Sequence, residues 1–196
     1  MATTKICYRF KNFSGEWEIK SFREVSKVNQ GLQIPISKRL KRPSKNSKFY
    51  ITIQALKNAK EVEYIESYSD SVVCHKDDVL MTRTGNTGMV VSGVEGVFHN
   101  NFFKINFDFY MLDKDFLIQF LNTEKTQRII LMKAGASTIP DLKHNDFYNI
   151  TIPLPPLKEQ QKIGNFFKTL DNLIDKHTKK LNKLKDLKKH FLEKML

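Results

Sequence analysis

The chain has 196 residues, which is room for one domain of about 150 residues and one long helix but not for two catalytic domains. A hydrophobic fraction of 40% with 15 phenylalanines predicts a folded core and excludes a disordered chain. The net charge of +12 favours a polyanionic partner.

No apolar run approaches the roughly twenty residues that a membrane span needs, and the start, MATTKICYRF, lacks the apolar core of a signal peptide. We therefore expect a soluble cytoplasmic protein without membrane contact. Cys7 and Cys74 are too few for a disulfide framework or a zinc site, which fits a reducing compartment. Both are expected to be small buried hydrophobic residues.

The first predicted element covers residues 12–25, where a short strand or turn leads into the domain and Trp17 is interpreted as a core anchor. Residues 37–48, SKRLKRPSKNSK, show no periodicity that would bury an apolar face, so they predict an exposed loop or a disordered segment. A basic loop suits phosphate contacts, and arginine can pair with guanine edges. Its candidate DNA-binding residues are Lys38, Arg39, Lys41, Arg42, Lys45 and Lys48.

Short runs of β-branched and aromatic residues bounded by Gly, Asn and Asp predict strands at residues 49–56, 71–74, 78–82, 89–91 and 97–107. Such strands favour a curved, mostly antiparallel sheet. Two polar turns between them are candidate DNA-reading loops, since Asn can pair with adenine, although both also fit ordinary turn chemistry. Their candidate residues are Arg83, Thr84, Asn86 and Thr87 in the first turn and His99, Asn100 and Asn101 in the second.

Apolar residues at helical spacing between residues 110 and 133 predict two helices that meet near residues 122–123, with Thr123 as an N-cap. The Gly/Ser/Thr loop at residues 133–138 adds Lys133 and Ser137 to the DNA-binding candidates. A turn at residues 141–144 and a strand at residues 147–152 then lead to Pro155 and Pro156. Together these elements predict an α+β fold.

After the two prolines, about forty residues contain one glycine and no further proline, which predicts one long helix. An apolar ridge recurs every seven residues, a pattern typical of helix pairing rather than of a globular core. The alternative is a helix folded back over its own domain. The ridge that we assign to dimerisation contains Ile163, Leu170, His177, Leu184 and Phe191. The flanking residues assigned to docking of a partner subunit are Phe166, Phe167, Leu173 and Ile174.

The string IPLPPLKEQQKI, followed by a helix with Leu170 and Asp171, resembles the junction in specificity (S) subunits of type I restriction-modification systems. Trp17, the strand at residues 50–53, the strand and turn at 78–85 and the loop before Pro140 resemble landmarks of that family more loosely. The resemblance implies a DNA-binding target recognition domain at residues 1–153 and a long coiled-coil helix at residues 154–196.

Members of that family usually carry two recognition domains and two long helices, and this chain has one of each. The resemblance therefore implies half of an S subunit, completed by a second copy through antiparallel helix pairing. Its other expected partners are double-stranded DNA, adenine methyltransferase (M) subunits and restriction (R) subunits. S-adenosylmethionine would be bound by the M subunit, and no cofactor is expected on this chain.

The sequence lacks the motifs of an enzyme. It has no G-x-G, no phosphate-binding P-loop, no Asn or Asp ahead of paired prolines and no histidines at metal-ligand spacing. We therefore predict a non-catalytic specificity subunit that reads one half of a bipartite inverted repeat and positions M subunits. The alternative function is a stand-alone dimeric DNA-binding regulator, or a competitor of a full-length S subunit.

Overall fold

This computed structural model describes residues 8–196, which contain ten strands and six α-helices. The strands are β1 Glu18–Ser21, β2 Ser26–Gln30, β3 Lys48–Ile51, β4 Tyr64–Ile65, β5 Val73–Cys74, β6 Val79–Thr82, β7 Val90–Ser92, β8 Gly96–Phe98, β9 Phe102–Phe107 and β10 Thr151–Leu154. The helices are α1 Phe22–Val25, α2 Ile53–Lys57, α3 Lys114–Asn122, α4 Glu124–Ala134, α5 His144–Tyr148 and α6 Leu157–Met195.

A central antiparallel sheet in the order β2-β9-β6-β7 separates two apolar cores. Alternation along β6 sends Val79 and Met81 into the core formed with the helices and Leu80 into the other core. The second core is closed by the sheet β4-β3-β8-β5, in which β3 and β8 are parallel. β1 pairs with β10 and so brings the two ends of the domain together. The predicted α+β class with mainly antiparallel strands is confirmed.

Several predicted boundaries are wrong for local reasons. The strand expected at residues 49–56 ends at Ile51, because the Thr52 hydroxyl accepts a hydrogen bond from the Ala55 N–H and caps α2. Residues 70–72 form a 3-10 turn, so the strand expected at residues 71–74 is shortened to the two residues of β5. The strand expected at residues 147–152 is replaced by α5, with β10 beginning at Thr151, because the apolar side chain of Phe147 packs into the core from a helix.

Two predictions about single residues have opposite outcomes. Thr123 caps α4 as predicted, since its hydroxyl accepts a hydrogen bond from the Thr126 N–H. Trp17 is not a core anchor, because it is only half-buried and lies beside the first turns of α6. Cys74 is buried as expected, whereas Cys7 lies outside the described residues.

Helix α6 is fixed to the domain along its first part, up to Asp171. There the Lys168 ammonium donates to the Asp115 carboxylate at 2.8 Å and the Gln119 amide donates to the Asp171 carboxylate at 2.7 Å. Gln160 is buried, and its side-chain amide accepts from the Asp113 N–H at 2.9 Å and donates to the Met111 and Pro155 carbonyls at 3.0 and 2.9 Å. Gly164 is buried against α3, and every residue from Asn165 to Leu196 is exposed. The long helix therefore does not fold back over its own domain.

Candidate nucleic-acid interface

Three polar segments that are far apart in the sequence meet at one surface. The Arg83 N–H donates to the Asn101 carbonyl at 2.7 Å, which joins the turn after β6 to the turn between β8 and β9. The Arg83 carbonyl accepts from the Leu142 N–H at 2.8 Å, and the Thr87 hydroxyl donates to the Pro140 carbonyl at 2.7 Å. The fold thus brings together loops 83–88, 99–101 and 135–141.

The Arg83 side chain lies mostly within this surface and does not extend into solvent. Its guanidinium lies 2.7 Å from the Asp141 carboxylate and 5.6 Å from the centroid of the Phe103 ring, and its side chain is 15% exposed. The Thr84 backbone forms an isolated bridge with the backbone of Asp141. Asp141 therefore fixes the position of Arg83. The sequence analysis did not identify Asp141 as a candidate, and its position directly after Pro140 is the one sequence feature that pointed to it.

The turn between β8 and β9 is built around His99. Its Nδ1 accepts from the Asn101 N–H at 3.1 Å. Burial lowers the pKa of His99, and the charge of Arg39 lowers that pKa further. His99 is therefore a neutral imidazole near pH 7, and its Nε2 carries the proton.

The Asn100 side-chain amide in the same turn donates to the Gln33 side chain at 3.3 Å, and the Asn100 backbone carbonyl accepts from the Gln30 side chain. Gly31 lies against this turn so closely that a Cβ would come within 2.3 Å of the His99 carbonyl oxygen. The loop after β2 therefore belongs to the same surface. Gln33 was missed because a lone glutamine in a loop has no sequence signature.

The basic loop is divided into pinned and free side chains. Arg39 donates to the Ile34 carbonyl at 2.7 Å and to the Glu63 carboxylate at 3.1 Å, and Lys41 donates to the other Glu63 oxygen at 2.8 Å. Burial by itself would raise the pKa of Glu63, but the hydrogen bonds from Lys41 and Arg39 outweigh burial and leave that pKa below its usual range. Glu63, another residue missed in the sequence, orders the start of this loop.

The remaining candidates of the basic loop are available to a partner. Lys38, Arg42 and Lys45 are exposed and Lys48 is half-buried. Arg39 also links this loop to the others, because its guanidinium lies 5.1 Å from the centroid of the Tyr50 ring, which in turn lies 5.7 Å from the His99 ring.

Among the other candidates, Asn86 and Ser137 are exposed, whereas Thr87, Asn101 and Lys133 are half-buried. Lys133 lies in the last turn of α4, just before the 135–141 loop. The surface thus combines polar side chains that are fixed by hydrogen bonds with exposed cations, a combination suited to base readout and phosphate contact.

The helix candidates occupy a separate surface. Ile163 packs partly against the domain core, whereas Leu170, Leu184 and Phe191 are 38%, 54% and 53% exposed, and His177 is also exposed. The flanking residues Phe166, Phe167, Leu173 and Ile174 are between 45% and 65% exposed. Helix α6 therefore carries an unpaired apolar stripe along its free length.

Comparison with known proteins settles the family. Residues 14–186 match the type I restriction modification DNA specificity domain. The chain belongs to this family. Domains of this family serve DNA recognition and have no catalytic activity, so the predictions of an S-type, non-catalytic chain are confirmed.

A curated relative, the type I restriction enzyme MjaVIII specificity subunit of Methanocaldococcus jannaschii, is 24% identical over 147 residues, which cover 74% of this chain and 34% of that protein. The fold is similar to the HsdS subunit from Thermoanaerobacter tengcongensis, with a TM-score of 0.63, 18% identity and coverage of 81% and 38%. It is also similar to the type I S subunit from M. genitalium, with a TM-score of 0.64, 17% identity and coverage of 90% and 43%. The chain therefore spans less than half the length of these relatives.

The described residues contain neither a metal site nor a membrane-spanning helix. Within residues 8–196, no group of His, Cys, Asp and Glu side chains is placed to hold a metal ion. No helix in the same range is long and apolar enough to cross a membrane.

Proposed function

We propose that this chain is one half of a type I specificity subunit, in which one domain reads one DNA half-site and two copies pair through α6. The observation that carries the proposal is the helix itself. It is fixed to the domain by the buried Gln160 and Gly164 and by polar contacts with α3 up to Asp171, and it exposes an apolar stripe along its length. An apolar stripe that repeats every seven residues is typical of a helix with a helical partner.

DNA would be read by the surface that joins loops 83–88, 99–101 and 135–141 to the basic loop. The exposed Lys38, Arg42 and Lys45 would neutralise phosphates, and the exposed Asn86 and the ordered turn at His99 would contact base edges. If roughly five cations of one domain neutralise phosphates, log affinity falls with log salt with a slope of about −4 to −5.

The spacing of the ridge predicts the geometry of the pair. His177 lies midway between Ile163 and Phe191, so a twofold axis at His177 places these two residues opposite each other and Leu170 opposite Leu184. Ile163 and Phe191 are 28 positions apart, which corresponds to about 42 Å along the helix, close to twelve base pairs. The expected target is an inverted repeat of short half-sites separated by about one turn of DNA.

Catalysis would be supplied by other subunits. Adenine methyltransferase subunits, which would bind S-adenosylmethionine, are expected to dock on the flanks of α6, with Leu173 and Ile174 among the exposed residues there. Restriction subunits would join this complex for cleavage. A complex of this kind acts on DNA in the cytoplasm.

Co-expression with the methyltransferase subunit and methylation mapping in cells tests the proposal. The expected result is a stable complex and N6-methyladenine at an inverted repeat. A chain that binds DNA as a dimer but never retains a methyltransferase subunit or changes the methylation pattern would instead be a regulator or a competitor of a full-length S subunit.

A further inference from the structure

The base of α6 forms one wall of an apolar groove. A cavity of about 350 Å³ lies between the N-terminal segment, residues 8–17, and the first turns of α6. A neighbouring cavity of about 290 Å³ shares Trp17, Ile163 and Phe167 with it and extends to Phe116 and Phe120 of α3. Ile163 therefore forms the floor of a groove that has the N-terminal segment on one side and α3 on the other.

Hydrogen bonds and an aromatic contact fix the N-terminal wall of this groove. The fully buried Glu159 carboxylate accepts two hydrogen bonds from Arg9, both at 2.7 Å, and Arg9 also donates to the carbonyls of Ser14 and Gly15. The Phe10 ring lies edge-on to Phe166, with ring centroids 5.6 Å apart. These contacts fix the N-terminal segment against α6, so the walls are preorganised.

The groove is continuous with the exposed ridge of α6. Ile163 on its floor is the first residue of the ridge that continues through Leu170, His177, Leu184 and Phe191. Shallow concavities along Leu170, His177 and Leu181 extend the same apolar strip away from the domain. A helix that packs along this ridge must run into the groove at its end.

A second copy of this chain fits that path. In the antiparallel pairing about His177, Phe191 of one copy lies opposite Ile163 of the other, which is the floor of the groove. Twofold symmetry also places equivalent flanks together, so Asp171, which follows Leu170, lies beside Lys185, which follows Leu184. Both side chains are exposed, and their charges are opposite; one oxygen of the Asp171 carboxylate also accepts a hydrogen bond from Gln119 of its own chain.

We propose that Phe191 of a second copy inserts into the groove between the N-terminal segment and α3, with Trp17 and Ile163 as its contacts. This inference rests on the proposed helix pairing and adds the recognition domain to the dimer contact. Phe166 and Phe167 then line the dimer contact instead of docking a methyltransferase subunit. Insertion at both ends of the rod fixes each recognition domain relative to the other copy, which helix pairing by itself does not achieve.

Trp17 is the single tryptophan of the chain, so its fluorescence reports on the groove directly. The experiment is sedimentation of the full-length protein over a range of concentrations, together with the Trp17 emission spectrum in the same samples. The expected result is a dimer whose dissociation on dilution is accompanied by a red shift of Trp17 emission. Phe191→Ala is expected to raise the dimer dissociation constant about tenfold or more and to abolish the shift.

Leu192→Ala is the matched control, because Leu192 is adjacent and 49% exposed but lies off the ridge. It should leave the dissociation constant and the shift near those of the wild type. Both residues are exposed in the single chain, so neither variant should impair folding.

A dimer whose Trp17 emission does not change on dilution, or in which Phe191→Ala behaves like Leu192→Ala, overturns the insertion but leaves the helix pairing intact. Emission that changes when residues 1–7 are deleted, and not on dilution, also overturns it, because the groove then belongs to the chain's own first residues. A protein that stays monomeric at every concentration overturns the pairing and the insertion together.

Discussion

Gly164 provides a sharp test of how α6 is attached to the domain. It is the one glycine in α6, and a Cβ at this position would lie 2.7 Å from the Phe116 backbone nitrogen and 2.9 Å from both the Asp113 carboxylate and the Asp115 Cβ. All three distances are shorter than ordinary contacts. Gly164→Ala must therefore push α6 away from the start of α3.

The size of the effect follows from three terms. Overpacking of this kind costs about 1–3 kcal/mol, and disturbing the Asp113 cap on the Phe116 N–H costs about 1 kcal/mol more. Replacing glycine by alanine within a helix stabilises the helix by about 1 kcal/mol. We expect Gly164→Ala to lower the free energy of unfolding by about 1–3 kcal/mol, which for a domain of this size lowers Tm by about 2–4 °C per kcal/mol.

Urea unfolding followed by circular dichroism, at one fixed protein concentration, measures this change. Asn165→Ala is the control, because Asn165 is exposed and alanine there only improves helix propensity. If Gly164→Ala is as stable as the wild type, or gains stability as Asn165→Ala should, the close packing of α6 on α3 is wrong.

Three further predictions concern polar groups that are buried or half-buried. Gln160→Met leaves up to three hydrogen-bonding groups unsatisfied and should lower the free energy of unfolding by about 2–4 kcal/mol; a loss below about 1 kcal/mol would show that these bonds are not formed. Burial raises the pKa of the Cys74 thiol to about 12, so in a Cys7→Ser background the folded protein should not react with a thiol reagent at pH 8 until it is unfolded. Burial lowers the pKa of His99, so the unfolded chain binds that proton more tightly and the free energy of unfolding falls as the pH drops below about 6.5. Urea unfolding curves of His99→Asn should therefore show a smaller decrease in this free energy between pH 6.5 and 5 than the wild type shows. An unchanged decrease would refute this role of His99.

The long helix, the N-cap at Thr123 and the α+β class could be predicted because each has a local signal. These signals are the paired prolines, the seven-residue spacing of apolar side chains and a hydroxyl residue ahead of a helical pattern. Each can be recognised within a short stretch of the sequence. Thr52 carried the same kind of cap signal, but the β-branched residues around it favoured a longer strand. Phe147 was placed in a strand because a single buried side chain has the same appearance in a short helix.

The candidate interface was predicted as a set of loops but not as an arrangement. Arg39 and Arg83 were predicted to contact DNA, and each is paired with a carboxylate that is distant in the sequence, Glu63 and Asp141. No spacing rule reveals such long-range pairs. The same limit applies to Trp17, which looked like a core residue and instead lines a groove beside α6.

Disulfide trapping of the helix pair tests the central claim most directly. In a Cys7→Ser background, a mixture of Leu170→Cys and Leu184→Cys chains should form a covalent heterodimer under mild oxidation, because antiparallel pairing about His177 places these positions opposite each other. Each variant alone should remain uncrosslinked. Rapid crosslinking of Leu170→Cys to itself, with none to Leu184→Cys, would mean that the helices pair in parallel and would contradict the account.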